Sequence, residues 1–304
     1  MVGQAYGQNA LPDLPLVITP KISRRKFLYG GVVVGVGAAL SLDGFVQSNH
    51  PQLVRREITL RRLPRALDGF TVAHLSDFHY EPNFSAVPIR KAIELVNGLR
   101  PDLIVLTGDF VTVPILERER FLRRSAETAL PCAALLAQIQ GPKYAVLGNH
   151  DARANAPLIV RSLEGQGIPV LRNQCLPIER GSGRIWLAGI DDLLCGTPRI
   201  DLTLTGIPPD EATILLAHEP DYADQAALFP IDLQLSGHSH GGQVWIPGIG
   251  APWLPKMSRR YPRGLYRIKD LTLYTNIGIG TIRAPIRLNC PPEVTLITLR
   301  CEQS

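Results

Sequence analysis

The sequence predicts an α/β fold in which mixed sheets stack between helices and a ligand site lies at the carboxyl ends of strands. Two observations predict the class. Short, continuous apolar runs alternate with helix-compatible segments, as in sheets covered on both faces. Asp, His or Asn side chains then follow five of those apolar runs, where open α/β sheets bind ligands.

The chain opens with residues that stand apart from this alternation. Residues 22–29 read ISRRKFLY, and an uncharged stretch runs from residue 27 to 42. Arg24 and Arg25 before a short, glycine-rich apolar region have the layout of an export signal, and SRRKFL resembles a twin-arginine signal. The stretch is shorter than the ~20 apolar residues a spanning helix needs. Val36-Gly37-Ala38 is the cleavage-site candidate, and an uncleaved membrane anchor is the competing reading. The expected organisation is therefore a signal or anchor over 1–48, a linker and first strand region over 49–67, and one domain over 68–304. This implies export to the periplasm, the cell envelope or the outer face of the cytoplasmic membrane, with the twin-arginine export machinery as a partner.

A polar linker is expected around residues 47–57. Strands are expected at 70–75, 103–106, 144–147, 185–188, 214–217 and 231–235, each a run rich in Val, Ile, Leu or aromatic residues. Helices are expected at 86–98, 119–138, 156–166 and 221–228. The C-terminal part changes character: 264–268 and 271–275 flank Lys269-Asp270 as a hairpin, and 294–299 gives a final strand. The hairpin makes the sheet mixed.

Composition narrows the function classes. At 45% hydrophobic and 19% charged, the 304 residues suit a globular protein with a sizeable core. The net charge of +5 suits an anionic substrate or a membrane surface without choosing between them. No basic run with interleaved aromatics argues for nucleic acid. Five scattered cysteines without CxxC spacing predict no disulfide framework.

The chemistry sits after the strands. Ser76-Asp77-Phe78-His79 follows the first, Thr107-Gly108-Asp109-Phe110 the second and Gly148-Asn149-His150-Asp151 the third. His218-Glu219 and Gly237-His238-Ser239-His240 come later. Each piece alone is weak: GD is a common turn, and a lone His is more often a structural residue than a ligand. The ordered set D-x-H, G-D, G-N-H-D, H and G-H-x-H resembles the calcineurin-like metallophosphoesterase family across about residues 68–300. AHLSDFHY, YAVLGNHD, ILLAHEPD, LSGHSHGGQV and SRRYPRGLYR bring it nearest to the exported YaeI/YkuE-type phosphodiesterases.

That resemblance implies a four-layer α-β-β-α sandwich of two mixed sheets and a dinuclear metal site. Asp77, His79, Asp109 and His240 would hold one divalent ion. Asp109, as the bridge, would hold the second with Asn149, His218 and His238. In an extended segment His238 and His240 would point the same way, toward the two ions. His/Asp/Asn ligation favours Mn, Fe or Zn over Ca or Mg. Two such ions activate a hydroxide and neutralise developing charge on a phosphate ester. His150 would stabilise the transition state or protonate the leaving oxygen. Asp151 would orient His150, with a helix N-cap as its other reading.

Residues 244–263 mix Trp245, Ile246, Trp253, Leu254 and Met257 with Lys256, Arg259, Arg260 and Arg263. They read either as a surface loop with its own apolar cluster or as a lip for a membrane or lipid tail, with arginines near phosphate. Arg283 and Arg287 are further phosphate candidates. The expected activity is hydrolysis of a phosphodiester, on a lipid-linked or envelope substrate with peripheral membrane contact. A phosphomonoesterase and a non-catalytic metal-binding scaffold are the alternatives.

Overall fold

The computed structural model describes residues 41–114 and 116–302. The twin-arginine-like stretch and its cleavage-site candidate lie outside them. Among the described residues no helix is long and apolar enough to cross a membrane.

Two mixed sheets form the centre. The first holds β1 (Gln52–Leu60), β2 (Thr71–Leu75), β3 (Leu103–Thr107), β4 (Lys143–Val146) and β11 (Glu293–Cys301), in the order β1-β11-β2-β3-β4. The second holds β5 (Gln174–Arg180), β6 (Gly183–Gly189), β7 (Thr213–Leu216), β8 (Leu233–Ser236), β9 (Gly264–Ile268) and β10 (Leu271–Thr275), in the order β5-β6-β7-β8-β10-β9. Strands β2, β3 and β4 run parallel, as do β6, β7, β8 and β10. The expected hairpin forms, with β9 antiparallel to β10.

Strand alternation assigns the layers. On the first sheet Val72, Val105 and Val146 face inward, against Leu187, Ile214, Leu216, Leu233 and Leu235 of the second. Ala73, Leu75, Ile104, Leu106 and Ala145 face the other way, against α2 (Ala86–Leu99), α4 (Ala129–Leu136) and α5 (Asn149–Glu164). Between α2 and α4 the chain forms α3 (Glu119–Glu127). The outer face of the second sheet packs on α6 (Ile200–Thr203) and α7 (Ala223–Ala226). This is the four-layer sandwich. Both sheets and all three apolar clusters lie within residues 41–302.

Local features depart from the sequence reading. β1 lies in the expected first strand region, 49–67, but begins inside the stretch expected as a polar linker, and it pairs with β11 over its whole length. Before it, residues 41–48 form a helix, α1. α5 starts at Asn149, seven residues before the expected helix. Asn155 interrupts it with extended backbone (φ −178°), and its Oδ1 accepts the N–H of Leu158 one residue beyond Pro157. The second segment is the helix that periodicity shows, with Pro157 in its first turn. The first turns carry the site.

Candidate metal centre

The parallel strands β2, β3 and β4 end at the same edge, and β7 and β8 end opposite them. Their following residues converge there. Ligand atoms of Asp77, His79, Asp109 and His240 lie within 4.8 Å of one another, as do those of Asp109, His218 and His238. Asp109 belongs to both groups, as expected of a bridging carboxylate. All six side chains are buried. Asn149, at the start of α5, lines the same cavity as Asp109 and His238.

The ring nitrogens are sorted by what each already holds. His218 Nδ1 donates to the carbonyl of Thr107 (2.6 Å), leaving Nε2 as the free lone pair, 3.2 Å from Asp109 Oδ2. His238 Nε2 donates to Lys256 O (2.8 Å), leaving Nδ1. His79 Nε2 lies 3.4 Å from Asp109 Oδ2, and His240 Nε2 lies 3.3 Å from Asp77 Oδ1. His218 Nε2 and Asn149 Oδ1 are buried with no hydrogen-bond partner. A buried acceptor left without a donor is costly, and a divalent cation is what this set of O and N atoms fits. The residues therefore suit two ions, one held by Asp77, His79, Asp109 and His240, the other by Asp109, Asn149, His218 and His238.

Burial alone would raise the Asp109 carboxyl, but His218 outweighs it and holds the group well below the ordinary carboxylate range. Against its own burial, the His218 imidazole is in turn held well above its ordinary value by Asp109, so without a cation it is protonated, and a divalent ion at Nε2 would displace that proton. Burial pushes the Asp77 carboxyl up. Burial lowers His238 to about 3, which suits a neutral ligand.

Backbone strain concentrates here. Asp77, His79, Asp109, His238 and His240 all have positive φ, between 40° and 68°. Non-glycine residues rarely adopt this conformation, and it persists where surrounding structure imposes it. It corrects one expectation. His238 and His240 do not project in parallel from an extended segment. A left-handed residue on either side of Ser239 and a 3₁₀ turn from His240 send the rings to different groups of ligands. Gly237 permits close approach: a Cβ there would collide with Ser76 and with the Asp77 carboxylate.

A second correction concerns His150. Asp151 does not touch its ring. The Asp151 carboxylate accepts the N–H groups of Phe110, Val111 and Gly148, tying the β3 loop to the start of α5. His150 is instead oriented by the loop after β3, where its Nδ1 accepts the N–H of Val113 (2.7 Å). The neutral ring therefore carries its proton on Nε2. Burial lowers the His150 pKa to about 4, so the neutral form prevails near pH 7. The His150 N–H also donates to Asp109 Oδ1 (2.9 Å).

The groups open into a cavity of about 440 Å³. Arg283 lines it, with its guanidinium 5.6 Å from the Trp253 ring centroid. Arg259, Arg260 and Arg263 are not among its lining residues. Arg260 is paired with Asp224, Arg263 lies over Trp245, and Arg259 is exposed. Arg287 is no phosphate contact. It is fully buried, donating to the carbonyls of Ile277, Gly280 and Cys290, with its Nη2 3.4 Å from His240 Nδ1. The sequence reading missed Arg153, which lines the cavity one turn after Asn149 and pairs with Glu117 (2.7 Å). The signal was present, since Asn149 and Arg153 share a helix face at i, i+4. It also missed Gln243, which accepts the N–H of Ile282 and donates to its carbonyl, fixing the backbone beside Arg283.

Comparison with known proteins agrees with this geometry. The calcineurin-like phosphoesterase family model matches residues 70–242. The metallophosphoesterase YkuE of Bacillus subtilis is 33% identical over 291 residues, covering 92% of this chain and 98% of YkuE. The phosphodiesterase YaeI of Escherichia coli is 31% identical over 285 residues, covering 91% and 99%. A transmembrane protein with a metallophosphoesterase domain from Danio rerio is 31% identical over 280 residues, covering 87% of this chain and 61% of that one. With its ligand set complete and its cavity open, the chain belongs to the calcineurin-like phosphoesterase family and is a metal-dependent phosphoester hydrolase.

Proposed function

We propose that the protein is an exported phosphodiesterase whose substrate carries an apolar group beside the scissile phosphate. The cavity supports this reading most. Beyond the metal-ligand end it is walled by Val113, Pro114, Trp253, Pro255 and Ile282, with Arg153 and Arg283 among its lining. The wall suits an apolar alcohol of the ester, and the guanidinium groups suit its anionic oxygens. The name of the Escherichia coli relative, a phosphodiesterase, supports the same substrate class. Export by the twin-arginine machinery is read from Arg24 and Arg25.

Two divalent ions, when bound, would activate water and neutralise charge on the phosphoryl group. The residues of the chain do the rest. The catalytic group proposed is His150, whose Nε2–H donates to a phosphoryl or leaving oxygen while Val113 fixes the ring. Arg283 and Arg153 hold the substrate's anionic oxygens. The apolar wall seats the ester group and excludes water.

The test uses the chain from Ser41, stripped of metal and resupplied with Mn. Hydrolysis of bis-p-nitrophenyl phosphate is compared with that of p-nitrophenyl phosphate. A metal-dependent preference for the diester is expected. Preference for the monoester would make the protein a phosphomonoesterase. Turnover of neither, with both ions verified bound, would favour the scaffold reading.

A further inference from the structure

Beside the pocket-lining Trp253, which is 59% exposed, the 244–253 stretch presents Ile249 at 78% and Ile246 at 38% exposure. A second exposed group lies on α1, where Leu42 is 66%, Val46 48% and Phe45 43% exposed. Singly, exposed apolar residues need no explanation. These two groups are fastened to one segment, residues 282–290. On one side, Trp245 N donates to Leu288 O (2.9 Å), and Asn289 Nδ2 donates to Trp245 O (3.1 Å). On the other, Arg287 N donates to Gly44 O (2.9 Å), and Asn289 N donates to Gln47 Oε1 (3.0 Å). Ile282 and Arg283 of that segment line the pocket.

Cations accompany the apolar groups. The guanidinium of Arg263 lies 4.4 Å from the Trp245 ring centroid, and that of Arg283 lies over Trp253. Lys256 and Arg259, in the same 244–263 stretch, are exposed. Tryptophan with a neighbouring guanidinium suits a bilayer interface, where the ring sits at headgroup depth and the cation meets phosphate.

We infer that this rim, formed by residues 244–253 and the outer face of α1, is a contact surface for an anionic lipid bilayer, holding the pocket mouth against the layer that supplies the substrate. The inference rests on the reading of the substrate as a diester with an apolar group. Two further observations choose a bilayer over a protein partner. The exposed cations complement anionic headgroups. The sequence immediately before α1, residues 27–40, carries no charged side chain.

The experiment uses the chain from Ser41, which contains both sheets and their cores and lacks residues 27–40. Co-sedimentation is measured with vesicles of phosphatidylcholine alone and with added phosphatidylglycerol. The wild-type sequence is compared with a triple variant, Phe45→Ser, Ile246→Ser and Ile249→Ser. The wild type should sediment with the anionic vesicles, and the variant should bind them at least about ten-fold more weakly. Hydrolysis of soluble bis-p-nitrophenyl phosphate should be the same for both. Equal partitioning of the two proteins, or neither sedimenting, overturns the surface. A change in oligomeric state between them without vesicles, and none in lipid binding, assigns the rim to a second copy and also overturns it. Vesicle binding without diester hydrolysis leaves the surface standing and removes the phosphodiesterase reading.

Discussion

Asp109 and His150 sit one hydrogen bond apart and are expected to fail differently. Asp109 Oδ1 is engaged by the His150 N–H, while Oδ2 faces His79 and His218, so one carboxylate serves both groups of ligands. Asp109→Asn removes the charge that both ions would share. It should lose both ions and reduce diester hydrolysis at least about 10³-fold. The His150 ring is no member of either group of ligands. His150→Ala should keep both ions and lower kcat about 10²–10³-fold, the range of one positioned hydrogen-bond or proton donor. Metal analysis of the purified variants, beside steady-state kinetics, separates the roles, and equal metal loss in both would refute the division. The ligand identities were legible because each follows an apolar run that ends in the site. The positive φ of Asp77, His79, Asp109, His238 and His240 was not. Nor was the orienting of His150 by the Val113 N–H rather than by Asp151, because a backbone donor from another loop leaves no trace in residue types.

At the scale of elements, α1 is the part that the sequence reading placed outside the domain. Its polar flank looked like a linker because β1 carries Arg55, Arg56 and Glu57 in succession and buries only Ile58 and Leu60. β5 went unread for the same reason: it is a half-exposed edge strand interrupted by Pro177. The interior strands were legible because burial on both faces makes them continuously apolar. Yet α1 is tied to the loop that carries Arg283. Gly44 packs so closely that an added Cβ would lie 2.5 Å from Ile286 Cγ2, and Ser48 Oγ donates to Pro285 O (3.1 Å). Gly44→Leu should displace α1 and, through Ile286 and Arg287, loosen the segment beside the pocket. The KM for bis-p-nitrophenyl phosphate should rise about three- to ten-fold, with kcat within about two-fold and metal content unchanged. A chain starting at His50 should behave alike. Unchanged KM in both would show that α1 is a passenger.

At the scale of the whole molecule, the two sheets are joined beneath the site by buried polar groups as well as by apolar packing. His74 of β2 bonds Thr107 Oγ1 through Nε2 (2.8 Å), and its ring meets Tyr274 of β10 edge-on at 6.3 Å. Tyr274 donates to Glu293 of β11 (2.6 Å), and Asn276 donates to His74 O (3.2 Å) and Thr295 Oγ1 (2.8 Å). Alternation along β2 marks His74 as inward, but nothing in the sequence names its partners on β3 and at the end of β10. Burial lowers its pKa from 6.5 to about 3, and its Nδ1 has no partner that would favour protonation. The unfolded chain therefore binds a proton at His74 that the native state refuses at any pH between these values. Its contribution to stability is present above pH 6.5 and is lost as pH falls toward 3. The loss is roughly 1.4 kcal/mol per pH unit and about 5 kcal/mol in all. His74→Gln keeps an N–H for Thr107 and does not titrate. Urea midpoints of wild type and variant, measured from pH 7 downward, should differ by an amount that shrinks steadily below 6.5. Buried carboxyl groups such as Asp77 and Glu293 titrate in both proteins and cancel in this difference. A gap independent of pH would show that His74 accepts its proton inside the fold, and that the polar joint between the sheets is open to water.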